Sequence, residues 1–134
     1  MIEAAGNRNR DNPARPIPRL RLNFPIGWRL DAHGVGAVVH FISGYDNDEI
    51  LRLPGGLPAA PDAPPLAPID PWVTFDLQYS FRLDEGDDLA TTFKIGVINL
   101  LDSDPPRLDA GYGYDAFVHD PRGRLLYTRL IQEF

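Results

Sequence analysis

Apolar and polar positions alternate with period two over five stretches of this chain. In residues 19–30, Leu20, Leu22, Phe24, Ile26, Trp28 and Leu30 fall on one side, and Arg21, Asn23, Pro25, Gly27 and Arg29 on the other. Successive side chains of a strand point to opposite faces, so the pattern predicts a strand with one apolar and one polar face. Pro25 removes one ladder hydrogen bond and weakens the pattern locally. Residues 35–45 repeat it, with Ala37, Val39, Phe41 and Tyr45 opposed to Gly36, Val38, His40 and Gly44. Residues 72–83 carry it most regularly: Val73, Phe75, Leu77, Tyr79, Phe81 and Leu83 oppose Thr74, Asp76, Gln78, Ser80 and Arg82. In residues 91–101, Phe93, Ile95 and Val97 oppose Thr92, Lys94 and Gly96. In residues 123–134, Leu126, Leu130 and Phe134 oppose Arg129 and Glu133.

The connections alternate short and long. Residues 31–34 and 84–88 are polar turns. Residues 46–71 hold Pro54, Pro58, Pro61, Pro64, Pro65, Pro68 and Pro71, too many prolines for regular sheet or helix. Residues 102–122 form the second long connection. Loops this long are unusual in compact soluble domains. They are ordinary on the outer side of transmembrane barrels, whose inner turns are short. Several strands also reach the roughly 9–11 residues needed to cross a bilayer at a tilt. The last strand runs to an aromatic residue, Phe134, as a barrel-closing strand with an interfacial aromatic would. The predicted fold is therefore all-β: antiparallel up-and-down strands forming a partial, about five-strand, segment of a transmembrane β-barrel. Asp76, Gln78, Arg82, Lys94 and Arg129 would face water in the lumen, and the apolar positions would face lipid. Trp28 and Trp72, near strand ends, suit an aromatic girdle.

Composition narrows the function classes. No run approaches the roughly 18 apolar residues of a membrane helix, and at a mean hydropathy of −0.25 strand-spanning remains open. The formal charge of −6 and the pI near 4.9 disfavour a nucleic-acid partner. With no cysteine there is no disulfide framework, thiolate metal site or cysteine nucleophile. Residues 1–18 lack the apolar core of a secretory signal.

Four segments resemble the late barrel strands of TonB-dependent outer-membrane receptors. They are Ile69–Ser80 (IDPWVTFDLQYS), Gly96–Pro106 (GVINLLDSDPP), Gly113–Asp115 (GYD), and His119–Tyr127 (HDPRGRLLY) running on to Phe134. Their order and spacing are those of the family's carboxy terminus, and the resemblance covers nearly the whole chain after Pro18. It implies a barrel of about twenty-two strands enclosing a plug, energised through a TonB box and importing a scarce nutrient such as a siderophore, cofactor or glycan. Residues 1–134 would be its carboxy-terminal portion, without plug domain or signal peptide, and not transport-competent alone. The implied location is the cell outer membrane. The implied partners are outer-membrane lipid, the barrel-assembly machinery and, in the intact parent, TonB and the nutrient. Leu126, Leu130 and Phe134 would form the barrel-assembly signal, a strand edge with alternate apolar anchors. Gln132 stands where a more apolar residue would strengthen it. Tyr112, Tyr114 and Phe117 would be outer-loop ligand contacts, with interfacial anchoring or loop packing as the alternative.

Other constellations have structural explanations. Asp102 and Asp104 suit turns that end a strand. Asp84–Asp88 lacks calcium-loop spacing. His33, His40 and His119 are scattered, and His119 and Asp120, being adjacent, point apart in an extended chain. Asp120 would organise the turn into Gly123. Ser43, Ser80 and Ser103 lack a nucleophile-elbow context. No cofactor and no enzymatic activity are expected. The alternative from another class is a small soluble β-sandwich binding module, which requires the apolar faces to pack on each other.

Overall fold

The structure, a computed structural model, describes residues 5–8, 17–47, 66–84, 86, 89–108 and 113–134. Among them there is no helix; the fold is all-β. In chain order the strands are β1 (Asn7–Arg8), β2 (Arg21–Leu30), β3 (His33–Ile42), β4 (Asp46–Asn47), β5 (Trp72–Asp84), β6 (Ala90–Ile98) and β7 (Leu125–Glu133). Five of them form one open antiparallel sheet in the order β2-β3-β5-β6-β7. β1 and β4 form a separate two-residue parallel ladder, Asn7 opposite Asp46 and Arg8 opposite Asn47.

Each sheet strand follows from its period-two pattern, and its ends follow from local chemistry. β2 and β3 are joined by Asp31 and Ala32, with Asp31 at φ 48°, a conformation that Asp tolerates better than most residues. β3 therefore starts two residues earlier than residues 35–45 suggested. β2 lies at the sheet edge, where Pro25 disturbs the ladder least. β6 stops at Ile98, short of the predicted residue 101. Asn99 turns to φ 51°, its side-chain amide donates to Ser103 O and its Oδ1 accepts the Ser103 N–H, both at 3.0 Å. Asp102 follows at φ 56° and receives the Arg124 N–H on Oδ1 at 2.8 Å, which fixes the start of β7. Asp102 lies beside Gly123, at φ 64°, in the turn into β7.

The register of the last three strands is continuous. Leu77–Val97–Leu126, Tyr79–Ile95–Thr128 and Phe81–Phe93–Leu130 form rows across one face. Gln78–Gly96–Tyr127, Ser80–Lys94–Arg129 and Arg82–Thr92–Ile131 form rows across the other.

The described residues divide into two compact units. One holds most of the five-stranded sheet: Leu22–Phe41, Val73–Asp104 and Arg122–Phe134. The other comprises Met1–Arg21, Ile42–Trp72 and Pro105–Pro121. Its core is Tyr45, Ile69, Leu108 and Val118, with Ile42 packed against them. Two expectations are corrected here. Tyr45 does not extend the apolar face of β3; the strand ends at Ile42 and Tyr45 is buried in this second core. The described part of residues 46–71 is not plain loop, whereas that of residues 102–122 is, as expected, without strand or helix. Tyr45 and Ile69 exchange backbone hydrogen bonds of 3.1 and 2.9 Å, and β4 precedes the first proline of the segment. Pro54, Pro58, Pro61, Pro64 and Pro65 lie outside the described residues.

Candidate functional site

Among the described residues nothing covers the apolar face of the sheet. Leu20, Leu22, Phe24, Ile26, Trp28 and Leu30 all stay exposed on the β2 side, Phe24 at 63%. Phe75, Leu77, Tyr79, Leu83, Phe93 and Ile95 continue the surface across β5 and β6, and Leu126 (76%) and Leu130 across β7. Contiguous apolar surface beyond a few hundred Å2 marks an interaction surface rather than ordinary protein exterior. Between Phe93 and Leu130 on one side and Tyr79 on the other, the shorter Thr128 leaves a groove of about 310 Å3 over Ile95. Alternation turns the Lys94 and Arg129 side chains to the opposite face, so their backbone forms the groove floor. His33 lies on the apolar face as well, its Nδ1 2.6 Å from the Tyr79 hydroxyl and its ring 5.0 Å from that of Phe81.

The polar face is the better-satisfied one. A chain of hydrogen bonds crosses it. His40 Nδ1 lies 2.7 Å from Asn23 Oδ1, and His40 Nε2 lies 2.9 Å from Asp76 Oδ2. The Asn99 N–H donates to Asp76 Oδ1 at 3.0 Å, and the Asp102 N–H donates to Asn99 O at 2.9 Å. Arg124 then donates to Asp102, so the chain runs from β2 to the start of β7. On the same face Tyr127 donates its hydroxyl to Gln78 at 3.0 Å, and Arg82 bridges Asp84 and Glu133 at 2.9 and 2.6 Å. His40 and Asp76 resemble a catalytic pair in composition only. Both ring nitrogens and both carboxylate oxygens are engaged, which leaves neither free to take a substrate proton.

The second unit holds a buried polar cluster. Asp115 is 2% exposed, receives the Tyr45 hydroxyl on Oδ2 at 2.9 Å and the Phe117 N–H on Oδ1 at 3.1 Å. Its carbonyl takes the N–H groups of Val118 and His119, closing a tight turn. His119 is 4% exposed, stacked on Tyr45 at 6.2 Å and edge-on to Trp72 at 5.3 Å. Among the described residues, both of its ring nitrogens and Trp72 Nε1 are buried without a hydrogen-bond partner. Burial, the largest influence, holds the His119 imidazole below its ordinary value; Asp115 opposes this and Arg21 adds to it.

The residues singled out from sequence fare differently. Leu126, Leu130 and Phe134 share one exposed side of β7, an edge strand of the sheet. Phe117 is exposed and Tyr114 half-buried; Tyr112 lies outside the described residues. Trp28 is exposed on the apolar face, whereas Trp72 packs against His119, because its position in β5 shares the parity of Thr74 and Asp76. The His40–Asp76 pair was missed, although both residues occupy polar-face positions of strands that prove adjacent. Asp115 was missed because an acid between Tyr114 and Ala116 reads as ordinary loop. Among the described residues no cluster of three His, Cys, Asp or Glu is placed to hold a metal.

Compared with protein families, curated proteins and solved structures, the chain matches none of them.

Proposed function

We propose that this chain is the carboxy-terminal barrel segment of a TonB-dependent outer-membrane receptor, a transporter of a scarce nutrient such as a siderophore, cofactor or glycan. The observation that carries the reading is the contrast between the sheet's faces: an apolar one that nothing covers among the described residues, backed by a hydrogen-bonded polar one. Lipid reverses the sign of the exposure cost. In water the row Phe81–Phe93–Leu130 is a liability; in hydrocarbon it is the required exterior, and the polar face is the wall of a hydrated lumen. The aromatic and imidazole side chains Trp28, His33, Tyr79, Phe81 and Phe93 lie toward the short-turn end of their strands, as an interfacial girdle does. The free edges of β2 and β7 are the places where further strands of a closed barrel would pair. Leu126, Leu130 and Phe134 belong to the same reading as the signal for the barrel-assembly machinery, and Tyr114 and Phe117 as outer-loop ligand contacts. In this reading transport belongs to the closed parent barrel working with TonB.

The soluble-sandwich alternative needs a second layer over the apolar face. Among the described residues that face carries none, with Leu77, Ile95 and Leu130 all exposed.

The test is depth-resolved quenching of tryptophan fluorescence with brominated lipids, on the full chain refolded into vesicles. The expected result is strong quenching of Trp28 and little of Trp72, separated with single-tryptophan variants. A monodisperse, water-soluble chain whose Trp28 no brominated lipid reaches would overturn the reading.

A further inference from the structure

The rows across the polar face contain one charge arrangement that the sheet itself does not balance. Lys94 stands directly opposite Arg129 in the β6–β7 register, and Ser80 stands opposite Lys94 from β5. Like charges directly opposite each other on an antiparallel pair are destabilising. Among the described residues, neither cation has an ion-pair or hydrogen-bond partner, whereas neighbouring Arg82 is held by Asp84 and Glu133 and His40 by Asp76. Shortage of carboxylates is not the reason, since the chain has 19 acidic residues against 13 Lys and Arg. The row next to the pair adds polar groups on the same face: Gly96 there carries no side chain, and the Tyr127 hydroxyl meets Gln78.

We propose that Lys94 and Arg129 form a binding site for a soluble oxyanion, the phosphate or carboxylate group of a small solute; the Ser80 hydroxyl, opposite Lys94, is already taken up by Gly34 O at 3.4 Å. A planar guanidinium offers paired N–H donors that match two oxygens of such a group. The ammonium adds a point charge with three donors. An anion between the two cations converts their repulsion into two attractions. Lys94 is half-buried and Arg129 exposed, so a solute reaches the pair directly from the polar face. The site stands on the register of β6 and β7 alone and holds whichever medium covers the opposite face.

Calorimetric titration of the full chain, refolded in a phosphate-free maltoside detergent, tests it with inorganic phosphate as probe and chloride at matched ionic strength as control. Phosphate is expected to bind saturably where chloride does not. Lys94→Gln and Arg129→Gln should each weaken phosphate binding about tenfold, the loss expected for one charge-assisted hydrogen bond. Arg82→Gln should change it less than about twofold, because that guanidinium is already engaged. Lys94→Glu supplies the anion from within; it should raise the unfolding midpoint and abolish phosphate binding, which separates loss of the site from loss of the fold. Equal effects of chloride and phosphate would reduce the pair to ordinary screening and overturn the site. Phosphate binding unchanged in Lys94→Glu would overturn it as well. So would binding confined to micelles doped with a phosphate-headed lipid, since the site would then serve headgroups rather than a solute.

Discussion

The Tyr127 hydroxyl reaches Gln78 Oε1 at 3.0 Å across an intervening strand, and it can do so because Gly96 stands between them. Gln78, Gly96 and Tyr127 are consecutive members of one cross-strand row. A Cβ placed on Gly96 would clash with the phenol end of Tyr127, whose Cζ, hydroxyl and Cε1 atoms are its nearest neighbours. The glycine is therefore required for close approach of a side chain, not for its backbone angles. Gly96→Ala is expected to destabilise the sheet by about 1–3 kcal/mol through this overpacking. Tyr127→Phe should cost about 1 kcal/mol for the lost hydrogen bond. The double-mutant cycle of Gly96→Ala with Tyr127→Ala, followed by urea unfolding in detergent, should show strong non-additivity, because the smaller residue vacates the space. Additive costs would mean that the ring does not lie over Gly96.

The two faces of β5 give the sharpest test of what medium they meet. Leu77 and Gln78 are sequence neighbours on opposite faces, the first exposed and apolar, the second hydrogen-bonded to Tyr127. In lipid, Leu77→Arg should cost about 2–4 kcal/mol near the midplane. Gln78→Arg should cost only about the 1 kcal/mol of the lost hydrogen bond. Unfolding titrations of the two variants in vesicles compare them directly, and equal tolerance at both positions would remove β5 from the lipid boundary.

Much of this sheet was legible because alternation is a property of consecutive residues. The pattern from Val73 to Leu83 places both faces of β5 without knowledge of any partner. Strand ends were less legible, since they depend on contacts from elsewhere. β6 ends where Asn99 engages Ser103, and β7 begins where Asp102, more than twenty residues earlier, receives the Arg124 N–H. The second unit was hardest to foresee. Tyr45 continues the parity of β3 in the sequence, yet it joins Ile69, Leu108 and Val118, and local periodicity carries no information about residues so far apart. Lys94 and Arg129 were both assigned to the polar face, but only the register shows that they are opposite each other.

His119 couples the second unit to pH. Burial keeps its folded-state value below the value of about 6.5 for an exposed histidine, so between the two the unfolded chain binds more protons than the folded one. Stability from this group is complete above about pH 6.5 and falls as the pH drops toward the lower folded value. Asp115 and Arg21, which act on the ring in opposite senses, modulate the depth of the loss. His119→Phe keeps an aromatic ring beside Tyr45 and Trp72 while removing two buried nitrogens that have no partner among the described residues. It should flatten the pH dependence below about pH 6.5 without lowering stability at pH 7.5. Thermal unfolding of both proteins across that range reads the effect. A wild-type midpoint that is flat there, or a variant that retains the same slope, would show that His119 is not the group responsible.

The Asp76 side chain ties three parts of the sheet at once: β3 through His40, its own strand β5, and the end of β6 through the Asn99 N–H. Its half-buried position makes both contacts more sensitive than surface ones. Asp76→Ala leaves the Asn99 N–H and one His40 nitrogen without acceptors, at an expected cost of about 1–3 kcal/mol. Asp76→Asn retains an oxygen for the Asn99 N–H and should lose less. The effect should also be local. Amide exchange should quicken at Asn99 and Asp102, where the network continues to Arg124, and stay unchanged at Gly96 and Tyr127 in the next row. If exchange instead rises evenly over the sheet, Asp76 supports stability only globally, and the chain of contacts from Asn23 to Arg124 does not act as a unit.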